Sequence, residues 1–96
     1  MLTYEVLASF LRDLDHLTPD QRRSLGVAVR RFLEDLPSRR FRKGLRIKRV
    51  QGARDIFEMT WAPDGRATFQ YGPEIVEGEP HVIWRRMGTH EILSRS

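Results

Sequence analysis

Cysteine is absent from this chain. Disulfides and thiolate metal sites are therefore excluded, and a reducing compartment is suitable. No apolar run approaches the ~20 residues that a bilayer-spanning helix needs. The first ten residues include Glu5 and no basic stretch, so they do not read as a signal peptide, and a cytoplasmic protein is the default expectation. Repeats, low-complexity tracts and linkers are also missing, so residues 1–96 are expected to form one domain. A domain of this size buries roughly 60 to 70 per cent of its unfolded surface, enough for a modest core without staples. The histidines are His16, His81 and His90, scattered without ligand spacing, so neither a metal nor another cofactor is expected.

Positive charge is present and unevenly placed. Seventeen Lys and Arg against 13 Asp and Glu give a net charge of +4. Seven of the cations, Arg39, Arg40, Arg42, Lys43, Arg46, Lys48 and Arg49, fall within eleven residues that hold no acid. Such a block suits a polyanion or an acidic protein partner, or else forms a solvated basic surface. Phe41, Leu45, Ile47 and Val50 are interleaved with it, which makes it part of the fold and not a tail.

The apolar periodicity divides the chain in two. Thr3–Leu7 is a short run that fits an edge strand. Phe10, Leu11, Leu14 and Leu17 follow helical spacing, with Ser9 as a possible N-cap. Thr18-Pro19-Asp20-Gln21 reads as an N-cap, a first-turn proline, a first-turn acid and the glutamine of a capping box. Leu25, Ala28, Val29, Phe32, Leu33 and Leu36 then make one apolar stripe that Pro37 ends. From 45 to 87 the period changes to two. Leu45, Ile47, Phe57, Met59, Trp61, Ala67, Phe69, Tyr71, Val82 and Trp84 are expected on one face. Arg46, Lys48, Glu58, Thr60, Arg66, Thr68, Gln70, His81 and Arg85 are expected on the other. Gly52 and Ala62-Pro63-Asp64-Gly65 mark turns. The expected architecture is α+β: an antiparallel sheet of about four strands, with an N-terminal αα-hairpin covering its apolar face and the polar face left open.

On that polar face Arg46, Lys48, Arg66 and Arg85 converge. Like charges on neighbouring strands repel unless something anionic binds, and an Arg fork matches phosphate oxygens. RNA cleavage asks little more of a protein. A 2′-OH attacks the adjacent phosphorus, a base removes its proton, cations stabilise the phosphorane, and an acid protonates the leaving 5′-oxygen. Histidine is the natural proton carrier near neutral pH. His90, reached through Gly88-Thr89 after the last strand, is the first candidate; His81 at a loop end and His16 on the first helix are weaker ones.

Three stretches resemble the RelE/YafQ-like toxin family, in its actinobacterial type. They are Phe41-Arg42-Lys43-Gly44-Leu45-Arg46-Ile47-Lys48-Arg49-Val50-Gln51-Gly52, Trp61-Ala62-Pro63-Asp64-Gly65-Arg66-Ala67-Thr68-Phe69, and Ile83-Trp84-Arg85-Arg86-Met87-Gly88-Thr89-His90. The resemblance implies a toxin of a type II toxin–antitoxin system that cleaves messenger RNA as a metal-independent endoribonuclease, often on the ribosome. It implies His90 as general acid or base, Arg66 as holder of the scissile phosphate, Asp64 as a functional turn residue and Lys48 as a polar residue of the first sheet strand. Arg42, Lys43, Arg46, Arg49, Arg85 and Arg86 are the expected RNA contacts. A cognate antitoxin is expected to cover part of Arg39–Arg49.

The chain also departs from the pattern. Glu58 and Thr60 stand where RelE places two lysines, and the YafQ branch has a histidine near Thr60. Leu93 and Ser94 stand where many relatives carry an aromatic that stacks on a base. Simpler roles remain for several residues: Asp64 suits a turn by itself, and Glu58 can pair with Arg66 or Lys48. Two further readings use the same scaffold. One is a ParE-like gyrase inhibitor acting through protein contacts, which the Gly-Thr-His ending disfavours; the other is an RNA-binding protein without cleavage.

Overall fold

Thr18 begins the longest helix as its sequence dictates. Its hydroxyl accepts from the Gln21 N–H at 3.2 Å, and the Gln21 side chain accepts from the Thr18 N–H at 2.9 Å, with Pro19 at the first helical position. The computed structural model describes residues 3–89. In it β1 (Thr3–Val6) leads into α1 (Ala8–Asp15) and α2 (Pro19–Asp35), then into short 3₁₀ turns at Leu36–Ser38 and Lys43–Leu45. The strands β2 (Lys48–Arg49), β3 (Phe57–Ala62), β4 (Gly65–Gly72) and β5 (His81–Thr89) follow. Among the described residues no helix is long and apolar enough to cross a membrane.

The sheet has five strands in the order β1-β5-β4-β3-β2, and it is mixed. This corrects the expectation of about four antiparallel strands, because β1 runs parallel to β5, with Thr3 opposite His81 and Val6 opposite Trp84. Direction is invisible to a period-two pattern; it follows from the path of the chain, which leaves β1 directly into the helices. The Leu7 N–H donates to the Trp84 carbonyl at 3.0 Å, and the Ser9 hydroxyl donates to the Arg85 carbonyl at 2.7 Å. Ser9 is therefore a tie between α1 and β5 and not an N-cap; Leu7 takes that position without a side-chain cap bond.

The core lies between the two helices and one sheet face. Phe32, fully buried, is its centre, with ring centroids 5.0 Å from Phe69, 5.2 Å from Trp84 and 5.2 Å from Phe41. Leu25, Ala28 and Leu36 of the apolar stripe are buried with it, Val29 is half-buried, and Leu33 remains exposed.

Three other departures shape the polar side. First, Leu45 and Ile47 are not in a strand. Leu45 enters the core from a 3₁₀ turn, and Arg46 closes that turn in the left-handed conformation at φ 49°, outside the sheet. Second, Glu58, Thr68 and His81 are buried, so the polar face is not open along its length. His81 joins β1 to β5, its Nδ1 being 2.7 Å from Thr3 Oγ1 and its Nε2 3.3 Å from Glu5 Oε1, which makes it a structural residue. Third, two irregularities interrupt the ladders. Thr68 pairs with Arg86 and Phe69 with Trp84, leaving Arg85 as an extra residue, while Trp61 is extra between Thr60↔Arg66 and Ala62↔Gly65.

Gly65 shows how tightly the β3–β4 end is packed. A Cβ there would lie 2.5 Å from Trp61 Cε2. Gly65→Ala is expected to cost about 1–3 kcal/mol, because the indole must shift to admit the methyl group. Urea unfolding measures this, and an unchanged midpoint would show that Trp61 yields freely.

Candidate nucleic-acid interface

The register places Lys48 opposite Glu58, Glu58 opposite Thr68, and Thr68 opposite Arg86, one row across four strands. One step nearer the hairpin tip, Thr60, Arg66 and Gly88 form the next row, and Gly65 pairs with Thr89 beyond it. The β3–β4 turn, with Asp64 and Arg66, and the last residues of β5 thus meet at one end of the sheet. His90 follows Thr89 in the chain and lies outside the described residues.

Arg66 is half-buried. Its Nη1 donates to the carbonyl of Gly65 at 2.9 Å and more weakly to those of Ala62 and Pro63, both at 3.4 Å. The guanidinium is thereby laid over the turn, and Glu58 does not take it. Glu58 instead lies 3.3 Å from Lys48 Nζ, a pair with one buried and one exposed partner. Asp64 is exposed, and its carboxylate has no partner among the described residues.

The expected RNA-contacting cations divide by circumstance. Arg42 is tied to α2, its Nε 2.8 Å from Asp35 Oδ2 and its Nη2 2.8 Å from Glu34 Oε1. The Arg42 side chain and N–H together hold the Asp35 carboxyl down to about 2. Arg86 makes a two-pronged bond to Asp13 of α1, at 2.7 Å and 3.1 Å. Arg85 donates to Gln70 Oε1 at 2.6 Å. Arg49 lies over the Phe57 ring at 5.8 Å, and Arg39, of the same basic block, over Tyr71 at 4.7 Å. Lys43 and Arg46 are exposed and carry no ion pair with the described residues. Most of the block rims β2 and the start of β3, while Arg46 reaches the hairpin end, where it lines a second cavity with Thr60, Ala62 and Pro63.

A cavity of about 510 Å³ opens at that hairpin end, between the α1–α2 turn, the β3–β4 turn and the tail of β5. Sequence reasoning missed the cavity and Asp13 on its rim, beside which stand His16, read only as a weaker candidate, and Gln21, read only as a capping residue. No local signal could have shown them, since Asp13 and Arg86 are 73 residues apart. Among the described residues no group of three or more His, Asp or Glu is arranged to hold a metal ion.

No protein-family model matches the sequence, and no curated protein matches it. Solved structures do match. RelE in the RelB–RelE antitoxin–toxin complex of Methanococcus jannaschii aligns at a TM-score of 0.62 and 18% identity, over 99% of this chain and 96% of that one. YafQ from E. coli aligns at 0.65 and 12% identity, over 97% and 98%. A copper-bound toxin variant from Helicobacter pylori aligns at 0.66 and 15% identity, over 95% and 97%. The fold is RelE/YafQ-like.

Proposed function

We infer that the protein is the toxin of a type II toxin–antitoxin pair and that it acts as an endoribonuclease on messenger RNA. The observation that carries this is the meeting of Arg66, Asp64 and the Gly88-Thr89 end of β5 at one edge of a RelE/YafQ-like sheet, one residue short of His90. In this reading Arg66 holds the scissile phosphate and stabilises charge on its oxygens. His90, which follows Thr89 in the chain, is the proposed proton carrier between the attacking 2′-OH and the leaving 5′-oxygen, with Asp64 of the β3–β4 turn as the second candidate. The P–O5′ bond breaks as the P–O2′ bond forms, leaving a 2′,3′-cyclic phosphate and a 5′-hydroxyl. Lys48, held by Glu58, steadies the middle of the sheet face and has a smaller part. Lys43, Arg46 and Arg49 carry the RNA backbone toward the site, with Arg85 and Arg86 lining its approach.

The same reading includes an antitoxin whose acidic segment covers part of Arg39–Arg49. The neighbouring RelE and a DinJ–YafQ structure are themselves antitoxin–toxin complexes. Translating ribosomes are the proposed place of cleavage, which puts the protein in the cytoplasm.

Induction in a bacterial host, with transcript ends mapped by sequencing, tests this proposal. Wild-type chain is expected to arrest growth and produce new internal ends, and Arg66→Ala to lose most of them. A binding-only toxin has one observation in its favour: Lys48, Arg86 and Arg42 are each already paired with an acid of the chain. It predicts arrest without new ends in both proteins.

A further inference from the structure

The hairpin-end cavity differs from the basic rim in its chemistry. Its walls are apolar, formed by Leu17, Trp61, Ala62, Pro63 and Met87. Gly65 and Gly88 contribute backbone to the lining, and the Trp61 indole covers the face of Gly65 where a side chain would stand. Trp61 is 8% exposed, and its indole N–H is buried without an acceptor. A buried unpaired donor costs roughly 1–3 kcal/mol, which a ligand acceptor brought in through a small rocking of the ring would relieve.

Among the described residues the rim carries hydrogen-bonding groups but no Lys or Arg. Asp13 is committed to Arg86 and to the Met87 N–H at 3.1 Å. Gln21 uses its oxygen on Thr18, leaving its amide N–H groups available. The His16 and Asp64 side chains have no partner among the described residues. A phosphate is better served by Arg66 on the neighbouring turn than by this cavity, whose lining holds the Asp64 carboxylate and, among the described residues, no Lys or Arg. A neutral heterocycle that presents adjacent N–H donors to a carboxylate is well served. Among nucleobases guanine has that edge, N1–H beside the exocyclic amine, and its O6 is an acceptor for a donor such as the Gln21 amide.

The neighbouring turn supplies the link to RNA. Arg66 lies over the carbonyls of Ala62 and Pro63, and those residues also wall the cavity. A phosphate on Arg66 and a base in the cavity therefore share one turn. We propose that this cavity is a guanine pocket, with Asp64 reading the base edge, that selects the nucleotide adjoining the scissile phosphate. The proposal rests on the ribonuclease reading for its role, but the pocket can be tested without cleavage.

The test is a titration of ¹⁵N-labelled protein with GMP, AMP, CMP and UMP, observing the Trp61 indole N–H and the Gly65 and Gly88 amides. GMP is expected to move these three resonances and to saturate at least tenfold below the other nucleotides. Asp64→Asn, an exposed change that leaves packing alone, is expected to abolish the tenfold preference. Leu17→Trp, which fills the cavity, is expected to abolish the shifts. Equal shifts with all four nucleotides, shifts confined to the Arg66 region, or no shift at all would overturn the pocket. Transcript ends separate this from the ribonuclease reading. Guanine-selective binding without new ends would leave the pocket standing and remove the nuclease. New ends without guanine bias or GMP shifts would do the reverse.

Discussion

Exchange of His90 for alanine is expected to slow cleavage of a defined RNA about 10²- to 10⁴-fold, the usual contribution of a positioned proton carrier. The reasoning starts from chemistry that needs no cofactor. Attack by a 2′-OH requires a proton to leave one oxygen and another to reach the departing 5′-oxygen. Arg66 cannot supply that traffic, because a guanidinium stays protonated across the working range. Asp64, exposed on the β3–β4 turn, is the alternative proton acceptor. Imidazole is the side chain whose ordinary pKa is nearest neutrality, and His90 is one residue beyond Thr89, which pairs with Gly65 beside the turn. The check is single-turnover cleavage by wild type and His90→Ala, with circular dichroism confirming equal folding. Retention of the rate would transfer the proton-transfer role to Asp64 or His16. A pH profile that loses its near-neutral limb in the variant would assign that limb to His90.

Asp13→Ala is expected to destabilise the protein by about 2–3 kcal/mol, less than the full cost of breaking a wholly buried pair because Arg86 keeps some solvent contact. Two groups lose their partner at once. The Arg86 guanidinium gives up a two-pronged bond, and the Met87 N–H gives up its acceptor. For a domain of this length the change lowers Tm by roughly 10 to 20 °C. Acid should produce part of the same loss. Burial pushes the Asp13 carboxyl up, but the Arg86 bond, the Met87 N–H and the charges of Arg86 and Arg12 outweigh it and hold it below the ordinary value. A carboxyl depressed in the folded state contributes its stability fully above its unfolded pKa of about 3.9. That contribution falls away as the pH drops through the folded value. Asp35, held down to about 2 by Arg42, titrates in the same direction. Stability is therefore expected to decline from about pH 4 downward, and less steeply in Asp13→Asn than in wild type. Equal acid sensitivity of the two proteins, measured by denaturant unfolding across that range, would remove Asp13 from the account.

Helix α2 was readable because every signal for it is local. The capping box, the first-turn proline and the stripe of Leu25, Ala28, Phe32 and Leu36 depend on neighbours within one or two turns. The β3–β4 hairpin was readable for the same reason, since Pro63-Asp64 between alternating runs marks a tight connection. The strand reading held for Lys48 but failed over Leu45–Ile47, where a two-residue alternation met a 3₁₀ turn and a left-handed Arg46. So short a pattern is compatible with either conformation, and burial of Leu45 in the core decided between them.

The candidate site shows the same division. Cationic residue types were legible, but their availability was not, because Asp13, Asp35, Glu34 and Glu58 each reach a cation through the fold. By itself the sequence determined the helices, the hairpin turn, the two-faced character of β3 and β4, and the concentration of positive charge, since these follow from backbone preferences and spacing over a few residues. Only the tertiary structure decided that β1 lies parallel to β5, that a ladder irregularity shifts Arg86 opposite Thr68, and that Asp64, Trp61 and Thr89 surround one cavity. Those outcomes depend on contacts between residues distant in the chain, whose energies are settled by packing around Phe32 and not by any local pattern.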